Sequence, residues 1–175
     1  MVEQDKYVIE GNKDIIINNS RDVNIYLKKG NVNIFYENVK LNANIVVDEG
    51  VIKEHLRNSS INTKIRVKGN LKYFSNIENS KVNTHIWGIS KHKSINIDGL
   101  IIGNKGYGKL VEEILFVNKP VFLRPALEIY GNNIQMEHKA ISYIIEEKTI
   151  QYIMSRGFSR EESVEIIIDS FINMF

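Results

Sequence analysis

A period of two, running from Asp14 to about Tyr143, limits this chain to β-rich folds. Ile15-Ile16-Ile17, Val23-Asn24-Ile25-Tyr26-Leu27, Val32-Asn33-Ile34-Phe35-Tyr36 and Ile45-Val46-Val47 are short runs rich in β-branched and aromatic residues. Asn18-Asn19-Ser20, Lys28-Lys29-Gly30 and Asp48-Glu49-Gly50 separate them with turn chemistry. Similar runs follow at Ile61–Val67, Val82–Trp87, Ile95–Ile97, Leu100–Ile102 and Ile114–Val117. A strand about every 8 to 12 residues is the spacing of a sandwich, a barrel or a solenoid. Short strands, and Asn set repeatedly beside apolar residues, favour the solenoid. Asn tolerates left-handed backbone at tight corners and bonds its neighbours there. An Asn-rich genome scattering Asn into turns would leave the same trace. With no strict hexapeptide repeat, an acyltransferase-type left-handed helix is not expected.

The last thirty residues switch to helical spacing. Ile150, Ile153 and Met154 share a face between Glu146 and Arg156, with Tyr152 beside it, and Gly157 supplies a stop. Ser159 followed by Glu162 makes a capping box for a second helix over about 160–173, striped by Val164, Ile167, Ile168, Phe171 and Ile172. The expected architecture is a mostly β core over 1–143 and a two-helix hairpin over 144–175.

Composition excludes several classes of function. The chain has 175 residues and no cysteine, so disulfides, thiolate nucleophiles and Cys-based metal sites are absent. The net charge of +2, with acids and bases mixed, makes no case for nucleic acid or an anionic membrane. No apolar run reaches the roughly 18 residues of a membrane helix. The polar, acid-bearing N-terminus does not read as a signal peptide, and a cytoplasmic location is expected. Gly103-Asn104-Lys105-Gly106-Tyr107-Gly108-Lys109 lacks the Gly-Lys-Ser/Thr ending of a phosphate loop and reads as a glycine-rich turn. No Ser-His-Asp set or nucleophile elbow occurs, and no catalytic residue is expected. His55 and His92 read as surface residues, and His85 as a solvent-facing strand histidine.

Two segments resemble one family. Arg124-Pro125-Ala126-Leu127-Glu128-Ile129-Tyr130 leads through Gly131-Asn132-Asn133 into Ile134-Gln135-Met136-Glu137-His138-Lys139-Ala140. The tail reads Tyr152-Ile153-Met154-Ser155-Arg156-Gly157-Phe158-Ser159-Arg160-Glu161-Glu162. Both are similar to the SufB/SufD proteins of iron–sulfur cluster assembly, most closely over 120–175. The resemblance implies a right-handed parallel β-helix followed by helices. Members are longer, so it also implies a minimal core without an N-terminal helical region and several rungs.

The same resemblance implies a non-catalytic subunit of a SUF-like complex. Its partners would be a SufC-type ATPase and a SufB/SufD-like paralogue, or a second copy as a homodimer. Tyr152, Met154, Arg156 and Phe158 would dock the ATPase. His138 falls on the family's His and Glu137 on the SufB-like acid before it, so both are candidates for iron or cluster transfer. Lys139 replaces a Glu, Met136 stands where SufD often has Cys, and Leu110 lies near the place of the SufB scaffold Cys. Thiolate is the usual cluster ligand. No stably bound cofactor is therefore expected, and at most a transient iron–sulfur cluster within the complex. The alternatives are a scaffold of this fold that has lost cluster chemistry, or an unrelated β-solenoid ligand-binding protein.

Overall fold

The computed structural model describes residues 5–175. Seven strands come first: β1 (Asp5–Ile17), β2 (Val23–Glu37), β3 (Lys40–Arg57), β4 (Ser60–Val67), β5 (Asn70–Ser90), β6 (Ile95–Phe116) and β7 (Val121–Ile144). Two helices follow, α1 (Glu147–Met154) and α2 (Arg160–Ile172). The strands form one parallel sheet whose spatial order is their chain order.

The elements are longer than the short runs read from sequence. The ladder continues through corners that turn the side chains, so two runs merge into one strand. In β2 the runs 23–27 and 30–36 flank Lys28-Lys29, and each half finds its own partner in β3. β3 in turn pairs with β4 through its first half and with β5 through its second. The offset between paired residues is 18 at Asp5↔Val23 and 28 at Lys105↔Asn133. The halves thus stack into two facing walls. One contains 23–27, 40–47, 60–67 and 81–88, and the other contains 30–36, 50–57 and 70–78. Parallel neighbours joined by so few residues leave no room for a crossover helix.

Between the walls lies an aliphatic core. Val23, Ile25, Leu27, Val32 and Ile34 alternate inward from β2, and Ile61, Ile65 and Val67 from β4. Inward columns run from layer to layer, as in Ile25↔Ile45↔Ile65↔Ile86.

The corners are set by residue type. Asn38, Asn58 and Asn79 all have positive φ, the left-handed conformation that Asn tolerates better than branched residues. Their side chains stack: Asn58 Nδ2 donates to Asn38 Oδ1 at 3.4 Å, and Asn79 Nδ2 to Asn58 Oδ1 at 2.8 Å. A second ladder joins Asn83, Asn62 and Asn42. The turn role expected of Asn is therefore built as ladders. Glycine lines the opposite corner, where Gly30 has φ +132 and a Cβ would meet the Gly11 carbonyl oxygen at 1.9 Å. Gly106 is held in the same manner against Ser80, beside Asn79, so the Gly103–Lys109 segment continues the asparagine corner inside β6.

The walls are cross-braced by one polar network. Glu54 of β3 is fully buried, with Tyr73 donating to it at 2.5 Å, Thr63 at 3.0 Å and Tyr36 at 3.1 Å. Burial pushes the Glu54 carboxyl up despite these three donors. It also pushes the Tyr36 and Tyr73 phenols well up.

Candidate functional site

The hairpin is assembled from local signals. Ser159 accepts from the Glu162 amide at 3.2 Å, and the Glu162 carboxylate accepts from the Ser159 amide at 2.7 Å, completing the capping box. Gly157, at φ +98, turns the chain after α1, and the Gly157 amide bonds the Met154 carbonyl at 2.9 Å. Arg160 ties the helices together through both oxygens of Glu147, at 2.7 Å on one of them.

One face of α2 then closes on the outside of the sheet. Ile168 and Phe171 bury against Trp87 of β5 and Leu115 of β6. Phe175 stacks on Trp87 with ring centres 5.1 Å apart, and Tyr143 of β7 meets Phe171 edge-on at 5.6 Å. α2 thus lies along the flank of β5, β6 and β7.

Tyr152, Met154, Arg156 and Phe158 are all exposed, along the end of α1 and the turn that follows it. Tyr152 is 62% exposed and Phe158 45%. Arg156 donates to the Tyr152 hydroxyl at 3.0 Å and sits 5.2 Å from its ring centre. Exposed aromatic, Met and Arg side chains are the types that the centres of protein interfaces favour.

His138 and Glu137 are not brought together. Consecutive strand residues project to opposite faces. His138 pairs with buried Leu110 in a column that continues inward through Thr84 and Thr63. It remains exposed because β7 is the last layer. Glu137 lies on the outer face, 3.9 Å from Lys109 Nζ and within 3.3 Å of Gln135 Nε2. Met136 is partly buried against the core, and Lys139 approaches Glu113 at 4.0 Å on the outer face. Among the described residues, no three His, Asp or Glu side chains converge as metal ligands would.

Of the other histidines, His85 and His55 are more buried than their sequence reading, whereas His92 is exposed as expected. His85 is half-buried, 3.0 Å from Glu113 and edge-on to Phe175. Burial holds its imidazole below the ordinary range, against the pull of Glu113. His55 stacks on Phe35 with centres 4.7 Å apart. His92 lies at the corner between β5 and β6.

Glu112 escaped sequence reasoning. It is fully buried, its carboxyl oxygens have no hydrogen-bond partner, and it fits only because Gly99 opposite lacks a side chain. Burial, helped by Asp98, pushes its pKa up to about 8. The signal was its parity with Leu110 and Ile114, both inward.

Comparison with known proteins bears on this same region. Residues 121–171 match the family "SUF system FeS cluster assembly, SufBD core domain". An iron–sulfur cluster assembly SufBD family protein of Staphylococcus saprophyticus is 41% identical over 51 residues, 29% of this chain and 11% of that protein. The SufB of Bacillus subtilis is 34% identical over 82 residues, 47% of this chain and 15% of that one. Over residues 121–171 this chain is similar to the SufB/SufD family. The SufBD match thus spans β7 and most of the hairpin, and includes His138, Tyr152 and Phe158. Each alignment is a short segment of a much longer relative. No described helix is long and apolar enough to cross a membrane.

Proposed function

We propose that this chain is a non-catalytic scaffold subunit of a SUF-like iron–sulfur cluster assembly complex. Its core is read as a right-handed parallel β-helix over 1–143, with the hairpin over 144–175 as a docking unit. Tyr152, Met154, Arg156 and Phe158 form the face that receives a SufC-type ATPase. ATP-driven movement of that partner would shift the hairpin against the Trp87–Leu115 flank on which it rests. A SufB/SufD-like paralogue or a second copy pairs along the β-helix. The complex works in the cytoplasm without nucleic acid or membrane. The cluster is cargo: His138 at the open layer is placed to meet it, and ligands this cysteine-free chain lacks would come from the partner.

One observation carries the reading: the SufBD match includes several exposed interface-type side chains, Tyr152, Met154 and Phe158, on the hairpin. The test is co-expression with the SufC-type ATPase of the same organism, followed by size-exclusion chromatography with and without ATP. Co-elution is expected, and Phe158→Asp is expected to abolish it while leaving the circular dichroism unchanged. Failure of the native pair to associate would sink the docking role.

A scaffold that keeps the fold but no longer handles clusters is the second reading. It is favoured by the absence of cysteine and by Glu137 and His138 facing opposite ways. Iron analysis of the purified complex separates the two, since His138→Ala lowers cluster content only in the first.

A further inference from the structure

Where α2 crosses the corner between β5 and β6, a cleft of about 450 Å³ opens on the flank of the sheet. Its floor is apolar, made by Val67 and Ile89 of the sheet and Ile168 and Ile172 of α2. Its rim is basic: Arg66, Lys68, Lys91, His92 and Lys93 line it, against the single acid Asp48. Two of these cations are engaged. Lys68 lies 2.9 Å from Asp48, and Lys91 is ion-paired with Glu165 of α2. Arg66 lies over the Trp87 ring, 5.1 Å from its centre, a contact that uses the guanidinium face and leaves its edge donors available.

The excess of charge has a local origin. The matching corners below are short, Asp48-Glu49 and Lys68-Gly69. At this level the connection lengthens to Lys91-His92-Lys93-Ser94 and brings three basic side chains to one rim. Like charges crowded together repel unless a counter-charge joins them.

We propose that this cleft binds a small organic anion, a phosphate or carboxylate carried on an apolar body. The rim supplies donors for the anionic group and the isoleucine floor takes the body. The volume is that of an ordinary small-molecule site, and an apolar lining with a few convergent polar groups is its usual composition. The site is separate from the exposed Tyr152–Phe158 face and does not depend on the docking role.

The test titrates phenyl phosphate into the full-length protein by isothermal calorimetry, with methyl NMR to locate it. Saturable binding below roughly 10 mM is expected, with shifts at the methyls of Ile89, Ile168 and Ile172. The double substitution His92→Glu with Lys93→Glu, both at a corner outside the core, is expected to weaken it about tenfold with unchanged circular dichroism. Inorganic phosphate is expected to bind more weakly than phenyl phosphate. Equal binding of the two would overturn the assignment of an apolar body. No saturable binding, or affinity unchanged in the double variant, would overturn the site itself. A Glu-rich peptide that binds where phenyl phosphate does not would reassign the cleft to an acidic protein segment.

Discussion

Two buried carboxyls in the core behave differently because one has donors and the other has none. Glu54 accepts from Tyr36, Thr63 and Tyr73, whereas Glu112 faces Gly99 with no partner. Glu54→Ala strands three buried donors and is expected to cost about 3 kcal/mol in urea unfolding. Glu54→Gln, which keeps an acceptor, should cost less than half of that. For Glu112 the folded pKa of about 8 lies above its ordinary 4.5, so the folded state holds the proton more tightly. Its contribution to stability is full below pH 4.5 and is lost as pH rises toward 8, at up to about 1.4 kcal/mol per pH unit. Unfolding free energies measured at pH 5 and pH 8 should show that loss, and Glu112→Gln should flatten it. A rise in stability toward pH 8 would contradict the assignment.

At the scale of elements, the corners decide whether the strands can stack. Asn58 sits in the middle of the Asn38–Asn58–Asn79 ladder with φ +50. Asn58→Val should destabilise by about 2 kcal/mol, through left-handed strain and the loss of two side-chain bonds. Asn58→Gly should recover most of the backbone part, and thermal melts of the two variants will separate the terms. Much of this was legible in the sequence. The period of two gave the inward columns, Asn marked the corners, and the Ser159–Glu162 box marked the start of α2. The extent of the strands was not legible, because the run at 23–27 joins that at 30–36 only once a neighbouring layer pairs with both. Nor were Glu54 and Glu112: each shares the parity of buried neighbours, Ile52 and Leu56 or Leu110 and Ile114, but an acid is ordinarily read as surface. Tyr152 and Phe158 were legible as candidates, and their exposure follows from which face of α2 meets Trp87. His138 and Glu137, adjacent in sequence, are separated by the pleat.

In the whole molecule, order is uneven along the stack. The middle layers have neighbours on both sides, and their inward residues are sealed. In β7 the inward residues Leu123, Leu127 and Met136 are only partly covered, and Phe122, Ile129, Tyr130 and Ile144 are exposed. Pro125 fits there because an edge strand tolerates a missing donor. Amide exchange should therefore be slowest in β3–β5 and faster in β7, where one side of the ladder has no partner strand. Uniform protection across the sheet would mean that another chain covers that edge in solution. The stacked corners carry a further consequence. In the proposed β-helix each layer stacks on the one before, so the reach of such a body changes in steps, by about 4.8 Å for each circuit gained or lost. A lineage can therefore move the hairpin nearer to or farther from the opposite end by copying or deleting some twenty to thirty residues, keeping every surviving corner as it was: the molecule is a ruler whose divisions are written in asparagine and glycine.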